Sequence, residues 1–312
     1  MSADEALWAK ELVLVTGKGG VGKTTVAAAL ARSAHTAGKR VLIAEVTSDT
    51  STKSQLLGLF GHPDVKGEDP VEFEKRLYGV RITPSSGHRL FLTAALKVGM
   101  LVNAAMRSAA LNRFLMAAPA FPEIGTLYHL VTLLRSKRFD HIILDLPATG
   151  HALGLASLPK TVLSVVPSGL IGQAIQEGLD AMTDDARGCA VLVTLPEGMP
   201  VTESLELARG LEKLDIRVRA MILNAMPDNP FTDGERDALR DHLKGREASL
   251  LLGAREFRRL ERALGAQAQF EAEVPATAAK VTIPKSDKTA HGDVMREVAT
   301  FLDEVNIQGA TS

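Results

Sequence analysis

The sequence predicts an α/β fold in which a mostly parallel sheet is flanked by helices. Apolar runs typical of buried strands alternate with helical patterns, and many runs are continuously apolar, as in strands covered on both faces. A glycine-rich stretch also joins the first strand to the first helix, which is where α/β proteins commonly bind phosphate. With 312 residues, 46% of them hydrophobic, the chain can bury one large aliphatic core. We predict a single domain over residues 1–312, with a small helical insertion at residues 90–138.

The elements follow in a regular order from the N-terminus. The first strand, residues 12–16, is the apolar run LVLVT, and the first helix, residues 24–37, contains three successive alanines and ends before Gly38. Later strands are assigned to runs rich in Val, Ile and Leu, and helices to the longer stretches between them. The other predicted strands are residues 40–45, 78–83, 139–145, 161–166, 189–195, 217–224 and 280–283. The other predicted helices are residues 121–138, 170–186, 201–214, 233–243, 249–264 and 290–305.

Residues 90–120 do not fit this alternation. The segment carries few charges and is typical of a helix with an unusually wide apolar face. Such a segment can pack on itself and on the sheet, or form a dimer contact. It can also offer flexible methionines to an apolar partner. Both interpretations stay open at this point.

Residues 17–25 read GKGGVGKTT and satisfy the phosphate-loop pattern G-x-x-x-x-G-K-[ST]. Glycines let the backbone turn so that several N–H groups point at one anion, and the following helix directs its N-terminal dipole at the same place. In this pattern Lys23 reaches the β- and γ-phosphates, and the hydroxyl of Thr24 binds Mg²⁺. The residues expected to contact the nucleotide are Gly17, Gly19, Gly20, Val21, Gly22, Lys23, Thr24 and Thr25. The sequence therefore predicts a nucleotide site.

Asp145 ends the apolar run of the fourth predicted strand and is followed by LPATGH. An acid at this place in a P-loop protein organises Mg²⁺ and its water, and the Pro and Gly after it suit a loop that moves with the γ-phosphate. An aspartate at a strand end is also a common cap for a turn or a helix. The strong strand before it and the turn after it favour the metal role, so Thr24 and Asp145 are the predicted Mg²⁺ ligands.

The overall composition argues against several classes of function. A net charge of −1 and a pI near 6.7 give no general attraction to polyanions, so no nucleic acid partner is expected. The first residues are acidic, unlike a secretory signal, and no apolar run approaches the roughly 18 residues of a membrane span. The single cysteine, Cys189, excludes an internal disulfide and a thiolate-rich metal site within one chain. These features predict a cytoplasmic protein.

Two motifs together resemble one family of P-loop proteins. GKGGVGKTT at residues 17–25 and DLPATGH at residues 145–151 are similar to motifs of the ArsA/Get family, the ATPases of arsenite pumps and of tail-anchored-protein targeting. The second motif of that family usually reads DTAPTGH. Residues 119–123, 193–204 and 222–224 are also similar to segments of the family. The resemblance extends from the first predicted strand to the last predicted helix.

This resemblance implies a Mg²⁺-dependent homodimer that ATP closes and hydrolysis reopens. It implies that Lys18, the extra lysine of the phosphate loop, crosses the dimer interface and neutralises charge on the phosphate bound by the partner, as an arginine finger does. The alternative for Lys18 is a solvated loop lysine. The resemblance places adenine near Asn224, Ile283 and Pro284.

The family's known outputs imply two kinds of partner. One is an apolar helical client, for which the ATPase would time chaperoning or targeting. The other is a membrane protein, for which the ATPase would energise transport of an anion of the arsenite type.

The chain departs from the family pattern at two places. The family usually has DPAH or DPAS after the second strand, with an aspartate that positions the attacking water, whereas this chain reads EVTSDTS from Glu45. Either Glu45 or Asp49 can supply that carboxylate, so the candidate catalytic residues are Lys18, Glu45, Asp49 and Asp145. The zinc-binding C-x-x-C motif is absent, so no zinc is expected, and one cysteine argues against binding arsenite, which prefers thiolates.

Overall fold

Within the described residues, eight strands form one sheet. The structure is a computed structural model and describes residues 7–47, 53–65, 67, 69–87, 89–90, 121–147, 149–165, 168–244 and 253–304. The strands are β1 (Leu12–Gly17), β2 (Val41–Val46), β3 (Val71–Glu74), β4 (Leu77–Ile82), β5 (His141–Asp145), β6 (Gly188–Thr194), β7 (Val218–Met226) and β8 (Ala279–Pro284). Their order is β3-β4-β2-β5-β1-β6-β7-β8, and all neighbours are parallel except β3 and β4. The predicted α/β fold with a mostly parallel sheet is confirmed.

Helices lie on both sides of this sheet. They are α1 (Lys23–Thr36), α2 (Gln55–Gly58), α3 (Phe121–Arg135), α4 (Thr149–Val165), α5 (Gly169–Thr183), α6 (Gly198–Glu212), α7 (Asp233–Leu243), α8 (Ala254–Glu273) and α9 (His291–Glu304). In the part of the chain that the structure describes, none of them combines the length and the apolar composition needed to cross a bilayer.

Alternate residues of β1 point to opposite sides of the sheet and belong to two separate cores. Val13 and Val15 pack into a core that includes α1, α2 and α9. Leu12 and Leu14 pack into a core that includes α3 to α6 and α8. All four side chains are buried. Because both faces are covered, the central strands have to be apolar at every position, which explains their continuous apolar runs.

The predicted strand at residues 161–166 is wrong, because residues up to Val165 continue α4. Its β-branched residues are typical of strands, yet residues 161–164 are exposed or half-buried, unlike a central strand. The sheet also has no place for it, since β1 already has β5 on one side and β6 on the other. Pro159 lies inside α4 and does not end it.

The sequence patterns missed β3, which has four mostly exposed residues and pairs antiparallel with β4 at the edge of the sheet. A short polar edge strand has no apolar run by which to recognise it. The helix predicted at residues 249–264 begins at Ala254 and extends to Glu273. The remaining predicted elements are present with boundaries shifted by a few residues.

Several sequence predictions lie wholly or partly outside the described residues. These are the apolar segment, of which residues 91–120 are outside, and Asp49. The single domain over residues 1–312 and the insertion at residues 90–138 stay predictions, although α3 packs against the sheet.

The strand order brings the loops after β1, β2 and β5 together. These three strands are parallel and adjacent, with β5 between the other two. Their carboxyl ends therefore meet at one edge of the sheet, where ligands bind in folds of this kind.

Candidate nucleotide-binding site

The phosphate loop connects the end of β1 to the start of α1. Gly17 approaches β6 so closely that a Cβ on it would collide with the carbonyl oxygen of Val193. Gly22 stands immediately before α1 with φ of 90°, in the left-handed region that favours glycine. Loop backbone and helix N-terminus thus form a concave surface that can bind phosphate. Of the other predicted loop contacts, Gly19 and Gly20 are exposed, Val21 is buried and Thr25 is half-buried.

Lys23 is the first residue of α1, and its Nζ donates a hydrogen bond to the carbonyl oxygen of Lys18 at 2.8 Å. Burial lowers the pKa of Lys23, and the nearby Asp145 carboxylate partly offsets that effect. The ammonium group therefore lies across the loop. A phosphate oxygen in the loop can replace the Lys18 carbonyl as its partner.

Thr24 and Asp145 meet beneath the loop. The Thr24 hydroxyl donates to Oδ2 of Asp145 at 2.8 Å, while Oδ1 is buried and has no hydrogen-bond partner among the described residues. Burial raises the pKa of Asp145 to about 6; the Thr24 hydrogen bond and Lys23 lower it, and Glu45 raises it further. A hydroxyl and a carboxylate with an unpartnered oxygen are oxygen ligands that Mg²⁺ accepts. The residues present therefore fit this ion.

Glu45 lies one strand away from Asp145. The two residues are register partners in β2 and β5, and on its other side Glu45 is the register partner of Arg81 in β4. Oε2 of Glu45 is 3.1 Å from Nε of Arg81. The two atoms form an ion pair, although the N–H does not point at the oxygen closely enough for a hydrogen bond. Asp49, the other predicted water-positioning residue, is outside the described residues.

Lys18 contacts the N-terminal half of α6. Its Nζ lies 2.9 Å from Oε1 of Glu203, and both side chains are more than one third exposed. The lysine therefore points along the surface of its own chain. Glu203 was not predicted as a site residue, because nothing in the sequence brings α6 next to the phosphate loop.

Asn224 also contacts the loop, because its Nδ2 donates to the carbonyl oxygen of Val21 at 2.9 Å. Ile283 is 2% exposed and packs in the core on the α1 side, while Pro284 is exposed at the carboxyl end of β8. The structure thus brings Asn224 directly to the phosphate loop. It leaves Pro284 at the same edge of the sheet and turns Ile283 into the interior.

Next to Asn224 lies a cleft of about 1140 Å³. It is lined by the loops after β6 and β7, by α8 from Glu256 to Gln269 and by Lys285. Met199, at the start of α6, lines it and is 69% exposed. Sequence patterns did not predict this cleft, since it depends on how α6 and α8 pack.

A glycine loop precedes α1, and Thr24 of that helix contacts the buried Asp145 at the end of β5, the strand beside β1. This arrangement defines a P-loop nucleotide-binding protein. Residues 10–170 match the family model described as anion-transporting ATPase, and the chain belongs to this ArsA ATPase family. The family resemblance predicted from the two motifs is therefore confirmed.

Several curated proteins are similar to the chain. The ATPase BagA of Mycobacterium tuberculosis is 27% identical over 223 residues, which cover 68% of this chain and 64% of that protein. An arsenical pump-driving ATPase of Escherichia coli is 28% identical over 257 residues, 76% of this chain and 42% of that protein. An ATPase ASNA1 homolog of Trypanosoma cruzi is 24% identical over 275 residues, 71% of this chain and 76% of that protein. The chain thus spans 64% of the first relative and less than half of the second.

Proposed function

We propose that this chain binds and hydrolyses ATP with Mg²⁺, that two copies form the active unit, and that closing and opening of this dimer acts on a partner. The hydrogen bond between Thr24 and Asp145 carries the proposal. It joins a hydroxyl and a buried carboxylate beneath the phosphate loop, and these are the protein ligands that hold Mg²⁺ in P-loop ATPases. Family membership supports ATP as the nucleotide.

Each polar group beneath the phosphate loop has a separate task in this proposal. The loop backbone binds the phosphates, and Lys23 exchanges the carbonyl of Lys18 for phosphate oxygens. Thr24 and Asp145 hold Mg²⁺, which when bound neutralises charge on the β- and γ-phosphate oxygens. Glu45 accepts a hydrogen bond from the attacking water and so orients it; Asp49 is the alternative for this task.

Lys18 is proposed to act on the nucleotide of the partner subunit. Its exposed position beside the loop supports this role, and its contact with Glu203 has to open first. Asn224 is proposed to contact adenine, which its position against the phosphate loop supports. Asn224→Ala should weaken ATP binding, and wild-type affinity in that variant would contradict the assignment.

The hydrolysis test compares wild type with Asp145→Asn and Thr24→Ala. We expect Mg²⁺-dependent release of phosphate from ATP, lowered roughly 100-fold or more in Asp145→Asn. Thr36→Ala, at the exposed far end of the same helix as Thr24, is the matched control and should keep the wild-type rate. A rate that does not depend on Mg²⁺, or that survives in Asp145→Asn, would contradict the proposal.

Mixing two inactive variants tests the action of Lys18 across the dimer. In a mixed dimer of Lys18→Ala and Asp145→Asn, the site of the Lys18→Ala subunit is complete if its partner supplies the lysine. We therefore expect activity to return on mixing, although each variant alone has lost it. If Lys18 acts within its own chain, no site in the mixed dimer is complete and activity stays absent.

The partner is proposed to be an apolar helical client or a membrane protein. The exposed Met199 beside the cleft favours an apolar contact. The names of relatives are the only support for driving an anion pump of the arsenite type. Cys189 is a poor thiolate ligand, because it is buried and burial raises its pKa to about 12. Hydrolysis stimulated by an apolar helical peptide, and not by arsenite, would separate the two.

A further inference from the structure

Arg81, Glu45 and Asp145 form a row across three neighbouring strands. Glu45 in β2 has Arg81 of β4 as its register partner on one side and Asp145 of β5 on the other. Register partners in parallel strands project to the same face of the sheet, and neighbouring strands are about 4.8 Å apart. One cation and two carboxylates therefore stand side by side at the carboxyl edge of the sheet.

The ion pair between Arg81 and Glu45 is buried. The Arg81 side chain is 5% exposed and that of Glu45 is 15% exposed. A buried charge is costly unless it is paired. The pairing of β2 with β4 also continues beyond the row, because the N–H of Thr47 donates to the carbonyl oxygen of Ile82 at 3.0 Å. The backbone hydrogen bonds between β2 and β4 thus continue beyond Glu45 and Arg81 and keep these two residues in register.

The order of the three strands places Arg81 and Asp145 on opposite sides of Glu45. Asp145 and Glu45 are register partners on neighbouring strands and repel one another as like charges. Glu45 has three side-chain torsions by which its carboxylate can turn. Arg81 lies on the side of Glu45 that faces away from Asp145. Its attraction therefore draws the Glu45 carboxylate away from the Thr24–Asp145 pair.

We propose that Arg81 is a positioning residue for hydrolysis, which holds the Glu45 carboxylate where it can orient the attacking water and keeps it from competing with Asp145 for Mg²⁺. The inference rests on the proposed function, in which Glu45 orients that water. In this role Arg81 acts through Glu45. A role confined to folding would make the same ion pair but would leave the rate at saturating ATP unchanged in the folded variant.

The test compares Arg81→Met, Arg81→Lys, Glu45→Gln and the double variant Arg81→Met with Glu45→Gln. Arg81→Met should lower kcat by about 10- to 100-fold, since displacing a reacting group by about 1 Å can cost that much, and should change KM for ATP by less than about threefold. Arg81→Lys should recover part of kcat. The double variant should be no slower than Glu45→Gln, because without the carboxylate there is nothing left to position. Arg76→Met is the matched control: Arg76 lies immediately before β4, at the end opposite Arg81, and pairs with Asp140 near the surface, so this variant should keep the wild-type kcat.

A second readout is independent of hydrolysis. Urea unfolding of the nucleotide-free protein should show that the two substitutions are not additive, because Arg81→Met alone leaves a buried carboxylate unpaired, whereas the double variant removes both charges. The double variant also keeps the test usable if Arg81→Met folds poorly.

Two results would overturn the role of Arg81 and leave the proposed function standing. One is a wild-type kcat in folded Arg81→Met. The other is a fold-loss of kcat in the double variant equal to the product of the two single fold-losses. A wild-type kcat in Glu45→Gln would refute the role of Glu45 and the inference with it. A wild-type protein that hydrolyses no ATP would refute the proposed function itself.

Discussion

Lys18 and Glu203 are joined within one chain, with 2.9 Å between Nζ and Oε1. The lysine extends from the phosphate loop and the glutamate from the second turn of α6, so the pair bridges two elements that are far apart in sequence. Both side chains are more than one third exposed, and exposed pairs of this kind contribute about 1 kcal/mol at most. The contact can therefore hold Lys18 in one position and still open easily.

Glu203→Gln should strengthen ATP-dependent dimerisation, because it removes the contact that Lys18 has to give up. Both subunits give up this contact, so at about 1 kcal/mol each the gain in the dimer association constant is up to about 30-fold. Sedimentation equilibrium with a non-hydrolysable ATP analogue measures it. Glu206→Gln, on an exposed position of the same helix, is the control and should have no effect. Weaker dimerisation in Glu203→Gln would instead assign Glu203 to the interface.

Gly22→Ala should destabilise the nucleotide-free protein more than Gly20→Ala. Both glycines have φ near 90°, where an alanine costs about 1–2 kcal/mol, but a Cβ on Gly20 meets open space and one on Gly22 collides with Nδ2 of Asn224. Urea unfolding separates the collision from the backbone strain that the two share. Adding Asn224→Ala to Gly22→Ala should remove the difference. Equal losses in the two single variants would show that Asn224 moves aside freely.

His141 should make the protein less stable as the pH falls from about 6.5 to about 4. Burial lowers the pKa of His141 to about 4, while the unfolded chain takes up the proton near 6.5, so stability is complete above 6.5 and is lost towards 4. The difference amounts to roughly 3 kcal/mol. The Lys10 carbonyl oxygen accepts from Nδ1 of His141, and this hydrogen bond partly offsets the effect of burial on the pKa of His141.

Urea unfolding at several pH values measures this slope. His141→Gln should reduce it by up to one proton, whereas His291→Gln, at an exposed position, should leave it unchanged. An unchanged slope in His141→Gln would mean that other groups cause the acid sensitivity.

Cys189 should react with a thiol reagent only when the protein unfolds. It is buried in β6, so the reagent cannot reach the sulfur. Burial also raises its pKa to about 12, so the reactive thiolate does not form at neutral pH. Chromogenic disulfide exchange in increasing urea should follow the unfolding transition. Met199→Cys places a second thiol at a position that is 69% exposed and should react at once, as the positive control. Rapid reaction of Cys189 in native wild type would contradict its burial in solution.

The parts of the site that sequence patterns predict are those that depend on neighbours along the chain. The phosphate loop is nine consecutive residues, and Asp145 follows directly from the apolar strand before it. Arg81 and Glu203 could not be predicted in this way, because their roles depend on β4 lying beside β2 and on α6 lying beside the loop. A charged residue inside an otherwise apolar strand, as at Arg81, is the one local sign that was available.

The errors in the fold have the same origin. Residues 161–165 have strand-like side chains, but the sheet has no free edge beside β1 for them, so they continue a helix. In β3, by contrast, polar residues form a strand because β4 offers an unpaired edge. The strand propensity of a segment is therefore weak evidence for its secondary structure where contacts with a neighbouring element decide the conformation.

The antiparallel strand β3 forms one edge of the sheet. It is short and exposed and carries Glu72 and Glu74. A parallel strand left at this edge would offer a row of unpaired N–H and C=O groups to other nascent chains. Parallel sheets assemble slowly, because segments far apart in sequence have to meet before they pair, so an open edge would stay available for longer during folding. Negative charges at the edge discourage such pairing, and Arg32 of α1 ties Glu74 to the body of the protein. At this edge the charged strand β3 therefore disfavours pairing with other chains while the protein folds.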